Sequence, residues 1–162
     1  MIVDELTRLK LSTFHMTKNK MVGPTCVKLQ KLKHEGCQLK HVRCDNSGEN
    51  MSLEKRMSGA MWKMNLMFEC TARRTPQQNG LVETVFASTL NKSKAMMVDT
   101  NLPYKMRCKL FQEAIMMATK INGLSIVIIN KEANTRYEHF GNVIPKFVKH
   151  LRIWSEARVV KI

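Results

Sequence analysis

The chain has 162 residues, enough for one domain with a core of its own and too few for two. Its 27 Lys and Arg stand against 13 Asp and Glu, and the net charge of +14 asks for a polyanionic partner, nucleic acid before any other. A membrane surface is the rival partner, and it is not expected: no signal peptide is read at the start, and the longest apolar patch, Leu124 to Ile129, is interrupted by Ser125 and falls far short of the roughly 18 residues a span needs.

In chain order, Met1 to Leu6 and Leu9 to Met16 read as two short strands joined by a polar turn, which suits a hairpin. Pro24 to Glu35 places Val27, Leu29 and Leu32 among lysines as an amphipathic helix, with Gly36 as its stop signal. Gln38 to Cys44 is a strand candidate, and Asp45-Asn46-Ser47-Gly48 is turn chemistry directly after it. A side chain there projects from the C-terminal end of a strand, the edge at which open α/β sheets bind ligands. The same four residues are equally an ordinary turn in which Asp45 caps the next helix.

Ser52 to Asn65 is expected as a helix with Leu53, Met57, Met61 and Met64 as core filling, followed by a strand over Leu66 to Thr71. The loop from Ala72 to Gly80 carries Arg73-Arg74 ahead of Pro76. A helix then puts Val82, Phe86 and Leu90 on one face and Glu83, Ala87 and Lys94 on the neighbouring one. As a first-turn residue, Glu83 also complements the helix dipole without any further role. Asp99 to Pro103 breaks this helix. Lys105 to Leu124 forms another with Phe111, Ile115, Ala118 and Ile121 on a stripe, and the mixed remainder ends in a strand at Val159 to Ile162.

Five dispersed cysteines contain no Cys-x-x-Cys pair, so neither a zinc site nor a disulfide framework is indicated, and a reducing compartment follows. None of the five histidines stands at a spacing that supplies two metal ligands.

Two motifs carry the chemistry. Val42-Arg43-Cys44-Asp45-Asn46-Ser47-Gly48-Glu49, followed by Thr75-Pro76-Gln77-Gln78-Asn79-Gly80-Leu81-Val82-Glu83, resembles the integrase core of long-terminal-repeat retrotransposons, most closely the Copia type. That family has a strand ending in Asp-Asn-Gly-Gly-Glu, then a Pro-Gln-Gln-Asn-Gly turn and a Glu; here 37 residues lie between Asp45 and Glu83, close to its characteristic gap. Weaker landmarks recur in the family's order: Ile2-Val3-Asp4-Glu5-Leu6-Thr7-Arg8, Leu102-Pro103, Glu113-Ala114, Asn130, Tyr137-Glu138 and His150-Leu151-Arg152-Ile153-Trp154.

The resemblance implies an α/β, ribonuclease-H-like fold, a mixed sheet flanked by helices and lacking its first, central strand. Residues 1–125 would be a partial catalytic core and 126–162 its C-terminal extension. It also implies DNA integration by metal-dependent polynucleotidyl transfer, in which three carboxylates hold two Mg²⁺ or Mn²⁺ ions. Asp45 and Glu83 would be the second and third of these, both catalytic and metal-binding. Arg73, Arg74, Gln77, Gln78, Asn79 and Lys94 would contact nucleic acid. The implied partners are retrotransposon ends and target DNA, with homo-oligomers possible and no membrane, and the implied location is nuclear or cytoplasmic.

In the family the first carboxylate lies on a strand preceding the one that opens this chain. Asp4 matches the acidic position of the following strand and is expected to be non-catalytic. Thr84-Val85-Phe86 replaces a basic and amide cluster that touches DNA, Ser47-Gly48 replaces Gly-Gly, and Arg74 replaces a Tyr. The expected product is therefore an integrase core fragment with little or no activity. The alternatives are a non-catalytic basic nucleic-acid-binding protein, or an unfolded transposon relic, for which the 13 methionines speak.

Overall fold

The structure, a computed structural model, describes residues 1–59, 65–71, 80–100, 102–141 and 145–151. Helices and short strands mix in two compact units, one of residues 13–84 and the other of residues 1–12 with 85–162.

In the unit of residues 13–84, a 3₁₀ turn at Lys18–Met21 runs straight into α1, Val22–His34. Gly36, at φ +88°, ends that helix. Its N–H donates to the Lys33 carbonyl at 3.1 Å and the Cys37 N–H to the Leu32 carbonyl at 3.0 Å, the two bonds of a Schellman motif. β3, His41–Cys44, pairs in parallel with β4, Met67–Cys70, and α2, Gly48–Ser58, lies in the connection. A parallel pair needs such a crossover. Cys26, Leu29 and Leu32 of α1 and Leu53 and Met57 of α2 are buried, and the two helices pack on each other. Each of the larger apolar side chains contributes about 1.5–3 kcal/mol by leaving water. Val27, expected on the inner face, is 58% exposed; Cys26 takes that place.

The helix α2 begins four residues before the expected start because Ser47 caps it, its hydroxyl accepting from the Asn50 N–H at 3.4 Å. Met61 and Met64 lie outside the described residues.

In the other unit, β1 (Ile2–Val3) and β2 (Lys10–Leu11) form the expected antiparallel hairpin, shorter than read. Asp4 holds its turn: one carboxylate oxygen accepts from both the backbone N–H and the hydroxyl of Thr7, each at 2.7 Å. Two long helices follow, α3 (Gly80–Asp99, its first residues belonging to the first unit) and α4 (Tyr104–Gly123).

The buried line of α3 is Thr89, Ser93 and Met97; on the apolar face read from the sequence, Val82 and Leu90 are half-buried and Phe86 is 47% exposed. Thr89 and Ser93 can be buried because their hydroxyls donate back to the carbonyls of Val85 and Leu90, both at 2.8 Å. On α4, Ile115 and Ala118 are buried as expected, but Ile121 is 46% exposed and Ala114 is fully buried.

The C-terminal part, read as mixed, contains β5 (Ile126–Ile129), β6 (Glu132–Thr135), α5 (Arg136–Gly141) and a 3₁₀ turn at Lys146–His150. Asn130 and Lys131 join β5 to β6 with φ of 52° and 70°, the two positive values of a tight hairpin turn. Thr135 and Glu138 form a capping box for α5. The Glu138 carboxylate accepts from the Thr135 N–H at 2.8 Å and hydroxyl at 2.7 Å, and the Thr135 hydroxyl accepts from the Glu138 N–H at 3.2 Å. The segment Val159 to Ile162, expected as a strand, lies outside the described residues.

Among the described residues the six strands pair as three separate two-stranded sheets, where a single mixed sheet was expected. Each strand is two to four residues long and finds one partner. None of the described helices is long and apolar enough to cross a membrane.

Candidate functional site

Asp45 follows β3 directly and is exposed at the strand's C-terminal end. It does not cap α2, which is the work of Ser47. Asn50, in the first turn of α2, reaches back instead: its side-chain amide donates to the Asp45 carboxylate, and to the Asp45 carbonyl at 3.2 Å. One carboxylate oxygen is thus engaged, and the other has no hydrogen bond among the described residues.

Glu83 lies in the first turn of α3, exposed, with no hydrogen bond or ion pair among the described residues. Asp45 and Glu83 belong to the same unit. Both are hard oxygen donors of the kind that hold Mg²⁺ or Mn²⁺ together with water and phosphate oxygens. Among the described residues no group of three or more His, Cys, Asp or Glu side chains could hold a metal ion. Lys94 is exposed further along α3, in the other unit. Arg73, Arg74, Gln77, Gln78 and Asn79 lie outside the described residues.

The ends of β3 and β4 form a cleft of about 420 Å³ lined by Arg43, Glu69, Cys70 and Thr71. Register explains the grouping, because Arg43 pairs with Glu69 and Cys44 with Cys70. Arg43 donates through Nε and Nη2 to one Glu69 oxygen at 3.3 and 3.2 Å, and His41 Nδ1 lies 3.4 Å from the other. These groups are about half exposed, so the pairing adds well under 1 kcal/mol. It sets the guanidinium against Glu69 in the lining of the cleft.

The Cys44 thiol, half-buried, is pushed up to about 12, first by burial and then by Cys70, Asp45 and Glu54. It is protonated at neutral pH. Nothing in the local pattern marks Arg43 and Glu69 as partners; the strand register does.

A second concentration of charge sits in the other unit. Lys10 is 4% exposed, and its ammonium donates to the Thr89 hydroxyl at 3.1 Å. Burial lowers its pKa, and so do Lys92 and Arg136 nearby. Arg136 donates to the Thr7 carbonyl at 2.6 Å, while its buried Nε has no partner among the described residues.

No protein-family model and no curated protein matches the chain. The fold is similar to that of a chain in the cryoEM structure of the simian T-cell lymphotropic virus intasome in complex with PP2A regulatory subunit B56 gamma, with a TM-score of 0.58 and 19% identity. The alignment covers 99% of the present chain and 51% of that one, so the present chain spans about half of its length. At this identity the likeness is one of fold.

Proposed function

We propose that the chain is a retrotransposon integrase core of the Copia type, ribonuclease-H-like in descent, which binds DNA and retains two carboxylates of a polynucleotidyl-transfer site. The observation that carries this reading is Asp45 at the end of a parallel strand, held by Asn50, with Glu83 in the first turn of α3 in the same unit. The fold likeness to an intasome chain and the net charge of +14 agree with it.

In this reading Asp45 offers its unengaged oxygen and Glu83 its carboxylate to Mg²⁺ or Mn²⁺. Bound there, the ion would supply charge neutralisation at a DNA phosphodiester. Lys94 and the basic loop of Arg73 and Arg74 would bind phosphates, with Gln77, Gln78 and Asn79 beside them. The partners are then retrotransposon ends and target DNA, the place of action nuclear. Two carboxylates give these 162 residues little strand-transfer activity of their own.

A second reading, a basic nucleic-acid-binding protein without metal chemistry, rests on the Lys and Arg residues spread along the chain from Arg8 to Lys161, which suit contact with a phosphate backbone without base reading. Fluorescence anisotropy on a DNA duplex at several salt concentrations, with and without Mg²⁺, tests both. Affinity that falls steeply with salt and strengthens with Mg²⁺ only while Asp45 is intact supports the first reading; salt dependence indifferent to Mg²⁺ and to Asp45→Asn supports the second. Absence of binding at low salt overturns both.

A further inference from the structure

We propose that Cys44 and Cys70 form a reversible cross-strand disulfide, a redox modification site at the C-terminal end of the β3–β4 pair. They are partners in the parallel register. Partners on neighbouring strands lie about 4.8 Å apart, inside the Cα separation of roughly 4.4–6.8 Å that a disulfide spans. In-register side chains leave the sheet on the same face. Both are free in the reduced protein.

Their unequal exposure assigns the order of events. Cys70 is exposed and lines the cleft, whereas Cys44 is half-buried behind it. The Cys70 sulfur attacks one sulfur of a small-molecule disulfide such as glutathione disulfide. The S–S bond breaks, and the first glutathione leaves as a thiol carrying the proton that Cys70 gives up. With Cys70 tied up in the mixed disulfide, its thiol no longer helps to hold Cys44 in the protonated form; the Cys44 sulfur gives up its proton, attacks the Cys70 sulfur and expels the second glutathione, which leaves as a thiol carrying that proton. The two protein thiols lose two hydrogens, and the small disulfide is reduced to two thiols.

The pair is at the end of the ladder: one backbone bond, from the Thr71 N–H to the Cys44 carbonyl at 2.9 Å, follows it. A disulfide there would fasten β3 to β4 immediately before Asp45. Cys26 is buried on α1, and Cys108 is exposed on α4 in the other unit; neither has a cysteine opposite it in a strand register.

The experiment treats the whole chain with glutathione disulfide, alkylates the remaining thiols and maps the peptides by mass spectrometry. The five free thiols should fall to three, with the Cys44 and Cys70 peptides joined and dithiothreitol restoring all five. Cys44→Ser should leave glutathione trapped on Cys70, and Cys70→Ser should abolish the loss of two thiols. A stable glutathione adduct on Cys70 of the unmodified chain, with no joined peptide, would overturn the proposal. So would the same pattern of linkages in urea, since proximity in the fold would then play no part. The unmodified chain alone suffices for both tests, whatever the variants do, and the outcome is independent of metal binding at Asp45.

Discussion

The side-chain amide of Asn50 grips Asp45 at two points, the carboxylate and the carbonyl, and so sets the direction in which the free carboxylate oxygen faces. Groups that orient a metal ligand are typically worth 10–100-fold in affinity. Asn50→Ala should therefore weaken Mn²⁺ binding by about 10-fold. The helix should survive, because Ser47 caps α2 through the Asn50 backbone N–H, which the substitution keeps. Isothermal titration with Mn²⁺ beside far-UV circular dichroism separates the two effects.

Gly123 closes α4 where the Tyr137 ring lies against it. A methyl group added at Gly123 would overlap the ring carbons. Gly123→Ala should destabilise by about 1–3 kcal/mol, or roughly 2–10 °C in Tm. Gly141→Ala, at a glycine with open space around its Cα, should change far less. Combining Gly123→Ala with Tyr137→Leu should recover part of the loss, and thermal melts of the set decide it.

Glu138 supplies the pH dependence with the clearest sign. Hydrogen bonds from the Thr135 hydroxyl and N–H hold its carboxyl below the ordinary glutamate range. The unfolded chain therefore takes up the proton first as pH falls. The capping box contributes fully above the ordinary glutamate value and is lost as pH drops through the lower native one. Glu138→Gln keeps the bonding pattern without the charge, so its Tm between pH 3 and 6 should vary less than that of the unmodified protein.

Lys10 is a buried cation whose nearest charges are also positive. Its lowered pKa means that the unfolded chain holds the proton more tightly, so the penalty is present in full at neutral pH and fades as pH rises through the lowered value toward 10.5. Lys10→Met removes the charge and keeps the volume. It should raise stability by about 1 kcal/mol, or roughly 3 °C in Tm. A lower Tm would mean that the ammonium is better compensated than its hydrogen bond to Thr89 suggests.

What could be read from the residues was local. Gly36 ends α1 where the pattern predicts, and the turn chemistry of Asp45 to Gly48 does separate a strand from a helix. Asp45 at a strand end and Glu83 in a first helical turn were legible for the same reason. The buried line of α3 was not, because it is built of hydroxyls that bond back to their own helix, and an apolar period is blind to Thr89 and Ser93. The capping box of Thr135 and Glu138 has a readable spacing, but a six-residue helix offers no period beside it. Strand pairing is non-local, so neither the three small sheets nor the meeting of Cys44 with Cys70 could be derived from either segment alone.

The most direct test of the central claim is a Mn²⁺ titration, followed by electron paramagnetic resonance, of the unmodified chain and of Asp45→Asn and Glu83→Gln. The account predicts one weak site that each substitution removes by itself, with the fold intact by circular dichroism. Equal Mn²⁺ binding by all three proteins would contradict it, because Asp45 and Glu83 would then share no metal.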